Sequence, residues 1–237
     1  MRLSCPLTLF PTSIPGYTVL SRLGGGRYGV CYLAQRAGGT QVVLKRFRQK
    51  GDPVADHGAE AVLLSQLCHP AIPALLGICH TAAHYCFVLE YMPGRSLEDL
   101  LFRVGHAFSD QQIFRVIDQL LSALTYLHRQ GVVHGDLRIS NLLYDGARLS
   151  LLDFGLSRPA FSARDLAYDF PFVGEVLLYL LYSRYTGPKQ GTWMTQLSLS
   201  AAQRRFLCRL LGLAEPFPCA AQVHSAFWAC FSPENQR

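Results

Sequence analysis

The strongest constraint on this chain is the stretch Val132-Val133-His134-Gly135-Asp136-Leu137-Arg138-Ile139-Ser140-Asn141-Leu142-Leu143, with Leu152-Asp153-Phe154-Gly155 close behind it. Short apolar runs predict strands, so the polar residues between them fall on two neighbouring loops. Asp136, Asn141 and Asp153 are thereby gathered on those loops, as two carboxylates and an amide oxygen. Such a set can take a proton from a hydroxyl and hold a hard cation. Loops of this kind need a scaffold, and 237 residues are enough to bury a large core in one or two domains. Half the residues are apolar and 16% are charged, which predicts a compact globular protein.

Ahead of the loops, residues 17–23 and 30–35 are β-rich runs on either side of Gly24-Gly25-Gly26-Arg27-Tyr28-Gly29. Gly38-Gly39 then turns the chain into a third run, 42–47. Glycines at 24, 26 and 29 let backbone N–H groups approach phosphates. A dinucleotide-binding turn requires a helix directly afterwards, whereas a strand is predicted, and that fold is set aside. Asp52-Pro53 predicts a helix start, with Ala59, Val62, Leu63 and Leu67 as its buried stripe up to His69-Pro70. Residues 75–80 and 85–89 are two more strands, and Glu90-Tyr91-Met92-Pro93-Gly94 ends that pattern.

Ser96 and Ser109 are predicted helix caps, Ser109 forming a capping box with Gln112. The helix it opens carries Ile113, Val116, Ile117, Leu120, Leu121, Leu124 and Leu127 on one face, a core pattern. Asp169 precedes an apolar helix over 170–182. A second box, Ser200 with Gln203, precedes Phe206, Leu207, Leu210 and Leu211, with Gly212 as C-cap. A last helix is predicted over 220–231, and the tail 232–237 is expected to fray. There are no repeats and no low-complexity segments.

The eight cysteines form no C-x-x-C pair and sit in apolar segments. They are expected to be reduced and buried, which favours the cytoplasm. Residues 1–15 carry one charge and three prolines, without a signal-type apolar run. The longest apolar run elsewhere, 176–182, falls far short of the ~20 residues of a spanning helix, so no membrane insertion is expected. The net charge is +6, and Lys45, Lys50 and Lys189 are the only lysines. Arginines on solvated faces explain this. So would an anionic partner near Arg27, Arg46, Arg48, Arg138, Arg158 and Arg164, for which nucleotide phosphates suffice; nucleic acid is not indicated.

H-x-D-L-x-x-x-N with D-F-G resembles the catalytic and metal-binding loops of the protein-kinase superfamily, and the resemblance runs from about residue 17 to 182 in family order. It implies an α+β, bilobal fold: an N-terminal extension 1–16, an antiparallel five-stranded N-lobe 17–90, a hinge 90–95 and a mostly helical, shortened C-lobe 96–237. It implies ATP with Mg²⁺ or Mn²⁺. Asp136 is then the base or orienting carboxylate for the substrate hydroxyl, and Arg138 stands where a lysine usually touches the γ-phosphate. Lys45 holds the α- and β-phosphates and Glu60 pairs with it, the alternative for Glu60 being an ordinary exposed helix carboxylate. Asn141 and Asp153 hold the metal. Leu23, Gly24, Gly26, Gly29, Cys31, Val43, Glu90, Met92, Ser96 and Leu143 contact the nucleotide, with Leu89 as gatekeeper. In the family pattern Asp169, five residues before Gly174, anchors the catalytic loop, a reading compatible with a plain N-cap.

Two departures bear on regulation and substrate. Gly135 replaces the arginine that in many protein kinases receives a phosphorylated activation loop, so activity is expected not to require that modification. Only fifteen residues lie between Asp153 and Asp169, and there is no A-P-E motif. These features are similar to compact bacterial eukaryotic-like (Hanks-type) kinases and to the small kinase of the KEOPS tRNA-modification complex. Small-molecule phosphotransferases share H-G-D-L-x-x-x-N and a D-L-A like Asp165-Leu166-Ala167. The first reading is therefore a Ser/Thr protein kinase acting on protein hydroxyls, including its own. Alternatives are a small-molecule kinase of the same fold and an ATP-binding or ATPase scaffold module. Ser157 and Ser162 are candidate autophosphorylation sites or turn residues; substrate identity and oligomeric state are not legible.

Overall fold

The computed structural model describes residues 14, 16–25, 29–48, 53–80, 85–188 and 190–233, without the side chains of residues 53, 55 and 56. Most of the expected extension 1–16 lies outside them, as do Gly26, Arg27, Lys50, the Asp52 cap, Lys189 and residues 234–237. The chain divides into two compact units, Met1–Cys68 with Pro73–Tyr91, and His69–Ile72 with Met92–Arg237.

The first unit is a five-stranded antiparallel sheet, β1 (Tyr17–Gly25), β2 (Gly29–Arg36), β3 (Gln41–Phe47), β4 (Leu75–His80) and β5 (Tyr85–Glu90), in the order β1-β2-β3-β5-β4. Alternation along the strands separates two faces. Val42 and Leu44 join Tyr32, Ala34, Cys86, Val88 and Ile14 in one buried cluster. Lys45 and Phe47 point the other way, where Phe47 meets Phe87 edge-on at 4.7 Å and stacks on His57 of α1 (Pro53–Gln66) at 3.7 Å.

α1 corrects the expected stripe. Ala59 is exposed and Val62 is 59% exposed, while Glu60, Ala61 and Leu64 are buried, followed by Leu67 beyond the helix end. A carboxylate occupies the inward face because a cation meets it there. Counting only apolar residues therefore put the helix out of phase.

The second unit is assembled around α3 (Asp110–Arg129). Ser96 caps the three-residue α2 (Leu97–Asp99), accepting from Asp99 N at 3.0 Å, and a π-helical turn Leu100–Val104 follows. α3 opens with the Ser109–Gln112 capping box, and all seven predicted core residues are buried on it. β6 (Arg95–Ser96), β8 (Leu142–Tyr144) and β9 (Leu149–Leu151) form a small sheet. β7 (Val132–Val133) pairs with β10 (Arg158–Pro159), and α4 (Ala163–Leu166) runs through a 3-10 turn, Ala167–Asp169, into α5 (Phe170–Tyr182). α6 (Trp193–Gln196), α7 (Ala201–Leu210) and α8 (Ala220–Phe231) complete the unit.

The Ser200–Gln203 box caps α7, and Gly212 at φ +71° ends it, with Leu213 N donating to Cys208 O at 2.8 Å. Ser232 does not fray: it is buried, and its N–H reaches Trp228 O at 3.1 Å, closing the last turn of α8. The seven described cysteines are thiols, with Cys86 buried and Cys31, Cys79, Cys208 and Cys230 half-buried. Cys68 and Cys219 are exposed, against expectation, because each lies at an element end, after α1 and at the N-cap of α8. Among the described residues no helix is long and apolar enough to cross a membrane.

Candidate active site

In the first unit the expected residues gather on the α1 side of the sheet. Register places Cys31 opposite Lys45, and Val43 shares that face. Lys45 Nζ donates to Glu60 Oε1 at 2.6 Å with both residues buried, so Glu60 is not an exposed helix carboxylate. Two desolvated charges are tolerable only as a pair, and the pairing fixes where the ammonium sits. A Cβ on Gly29 would stand 2.2 Å from Arg46 O, so that glycine is required by the close approach of β2 to β3. Gly24 has open space around it and Leu23 is exposed. At the end of β5 the Glu90 N–H is spent on Ala74 O at 2.9 Å and is not a donor for a ligand.

In the second unit a buried carboxylate organises the loop 134–141. Asp169 accepts from His134 N at 2.9 Å and His128 Nε2 at 3.0 Å through Oδ2, and from Gly135 N at 2.9 Å through Oδ1. It makes no side-chain cap to α5, so of the two readings of Asp169 the anchor is the one the geometry carries. Gly135 turns at φ +82°, and a Cβ there would meet Leu156 O at 2.6 Å. His134 Nδ1 accepts from Asp136 N at 3.2 Å, and burial pushes the imidazole pKa down against the opposing pull of Asp169, keeping the ring neutral.

Asp136 is thereby presented with both carboxylate oxygens engaged. Asn141 Nδ2 donates to Oδ2 at 2.9 Å and to the Asp136 carbonyl at 2.9 Å, while Arg138 Nη2 stands 2.8 Å from Oδ1. Both Asp136 partners of the Asn141 amide are acceptors, so its nitrogen must face them and its oxygen is left for a cation. Pairing of Leu142 with Leu151, and Leu152 N on Asn141 O at 2.8 Å, bring Asn141 and Asp153 to one end of the β8–β9 ladder. Asp153 has φ +63°, the one positive φ outside glycine among the described residues, and Gly155 N lies 3.4 Å from its Oδ1. Phe154 is buried, its ring 4.9 Å from that of His134. Leu143 on β8 pairs with Ser96, whose hydroxyl is occupied as the cap of α2.

An amide oxygen beside a carboxylate is a hard donor set that suits Mg²⁺ or Mn²⁺. Among the described residues no three His, Cys, Asp or Glu side chains come together as a metal-binding group, so a cation held by this pair would draw further ligands from phosphate and water. Two participants had no clear signal in the sequence. His128 falls on the otherwise apolar face of α3, the one hint that it has a buried partner. Ser157, whose Oγ donates to His134 O at 2.9 Å, resembled any turn serine.

A family model described as protein kinase domain matches residues 17–174. Probable serine/threonine-protein kinase YbdM of Bacillus subtilis is 32% identical over 221 residues, 87% of this chain and 86% of that protein. Probable serine/threonine-protein kinase KIN1 homolog of Enterocytozoon bieneusi is 38% identical over 56% of the chain. Serine/threonine-protein kinase dkf-1 of Caenorhabditis elegans is 36% identical over 60%. The matches span only 23% and 22% of those two longer proteins.

Proposed function

This chain belongs to the protein kinase family as a serine/threonine protein kinase, and on that premise we propose that it moves the γ-phosphoryl group of ATP, with Mg²⁺ or Mn²⁺, to serine and threonine hydroxyls of proteins, its own included. The observation that carries the reading is the Asp136 carboxylate, clamped between Asn141 and Arg138 on a loop hung from Asp169. So fixed, Asp136 accepts the hydrogen bond of an incoming hydroxyl and takes its proton as the bond to phosphorus forms. Lys45, aimed by Glu60, holds the α- and β-phosphates, and Arg138 keeps Nη2 on Asp136 while offering its remaining exposed N–H donors to the γ-phosphate. Asn141 and Asp153 hold the cation, which when bound neutralises charge on the phosphate oxygens. Nucleotide contacts by Leu23, Gly24, Gly26, Gly29, Cys31, Val43 and Glu90 of the first unit, and by Met92, Ser96 and Leu143 of the second, are part of this proposal. The seven described cysteines, all thiols, suit a reducing cytoplasm.

Purified protein is incubated with γ-labelled ATP and Mg²⁺, with and without an added mixture of proteins, beside Asp153→Asn, and resolved on a denaturing gel. Label on wild-type and added protein as phosphoserine or phosphothreonine, absent from the variant, is the expected result. The short segment between Asp153 and Asp169 favours, as second reading, a small-molecule hydroxyl acceptor. ATP consumed without any protein label would give that reading precedence.

A further inference from the structure

A regulatory role for the segment between the metal loop and α5 rests on the kinase reading. Ser157 is half-buried and committed to His134 O, whereas Ser162 is exposed. Ser162 Oγ accepts from Asp165 N at 3.3 Å and donates to Asp165 Oδ2 at 2.9 Å. The same oxygen accepts from Phe161 N at 3.0 Å, and Asp165 Oδ1 stands 4.0 Å from Arg158 Nη1. Arg158 lies over the Tyr168 ring at 5.3 Å. The Ser162 hydroxyl foremost, then the Phe161 N–H, hold the Asp165 pKa below the usual carboxylate range, so it is charged at neutral pH. A carboxylate on an arginine therefore ties this segment together, a task that a phosphorylated residue performs in switches that depend on phosphate.

We propose that Ser162 is an inhibitory phosphoacceptor of this chain, and that its phosphate opens the Asp165 latch and lowers activity. In the transfer, Ser162 Oγ of one copy forms a bond to the γ-phosphorus of ATP held by another. The hydroxyl proton passes to that second copy's Asp136, the phosphorus–oxygen bond to the β-phosphate breaks, and ADP leaves. The product has no hydroxyl hydrogen for Asp165 and places about −1.5 to −2 charges beside the carboxylate, competing for Arg158. A phosphate at the start of a long helix would be welcome. α4 has four residues, and its third position is already an anion.

The disturbance reaches the catalytic loop by a short route. α4 passes directly into the turn that ends at Asp169, the residue from which His134 and Gly135 hang. Upstream, Ala160 N on Gly131 O at 2.7 Å and the β10–β7 pairing couple the same segment to the strand that enters the loop. Loosening α4 thus acts on the position of Asp136 without touching substrate.

The full chain, phosphatase-treated and repurified, is incubated with Mg²⁺ and ATP. Ser162 occupancy is followed by mass spectrometry, alongside the initial rate on an added protein substrate. The rate is expected to fall at least fivefold as Ser162 fills and to return after phosphatase. Ser162→Asn keeps a capping oxygen and a donor for Asp165 but has no hydroxyl, and it is expected to hold the starting rate throughout; Ser162→Glu starts low. A filled Ser162 with an unchanged or higher rate, or labelling of the added protein while Ser162 stays unmodified, overturns the proposal and leaves the kinase reading intact. Labelling by untreated protein but none after phosphatase overturns the proposal alone, and no labelling of any protein by either sample overturns both.

Discussion

At Gly135 a missing side chain determines what the catalytic loop can do. The backbone takes φ +82° with the Leu156 carbonyl where a Cβ would go, so Gly135→Ala must move either the loop or the segment after Asp153. A loss of about 1–3 kcal/mol in urea unfolding is expected, with a fall in phosphoryl transfer. Lys45 and Glu60 give a complementary case: Lys45→Met strands a buried carboxylate and should cost about 3–5 kcal/mol, while adding Glu60→Gln should recover part of the stability but none of the activity. A double variant no more stable than Lys45→Met would contradict the pairing argument. His134 contributes to the acid limb. Its folded pKa lies below the ordinary 6.5, so under acid the unfolded chain binds a proton that the native state refuses. Stability contributed by the neutral ring is complete above 6.5 and lost as pH falls below it. The melting temperature should drop over that range, less steeply in His134→Asn.

Among elements, α1 measures how far periodicity can be trusted. Val62 is exposed and Leu64 is buried, so Val62→Ser should change stability by less than about 0.5 kcal/mol, whereas Leu64→Ala should cost about 2–5 kcal/mol. Equal costs in denaturant titrations would restore the stripe read from sequence. That stripe failed because Glu60 is an inward carboxylate, and its partner lies on a strand fifteen residues upstream that no local pattern reveals. α3 succeeded for the opposite reason, since its buried face is apolar throughout apart from His128 and its cap is a local box. The five strands and their glycine turns were legible because alternation and turn residues are short-range signals. The loops carrying Asp136, Asn141 and Asp153 were legible because their chemistry forces particular residue types into a short span. The link from Asp169 to His128 spans 41 positions, and the exposure of Cys68 and Cys219 depends on where elements end, so both needed the folded chain.

For the molecule as a whole, Gly135 and the Asp165 latch agree that order in the segment after the metal loop is inherited from the fold. Phosphatase-treated protein should therefore be active from the first time point; complete loss of activity would show that a phosphate is required after all. Among the described residues the two units carry one exposed thiol each, Cys68 on the first and Cys219 on the second. Burial raises the thiol pKa of Cys79 and Cys230, and carries that of Cys86 up to about 12, so these three should alkylate slowly. With Cys5, Cys31 and Cys208 changed to serine, the chain thus supplies its own attachment points for a donor and an acceptor dye. A fluorescence ruler between Cys68 and Cys219 could then report whether added nucleotide changes the distance between them, with no cysteine introduced.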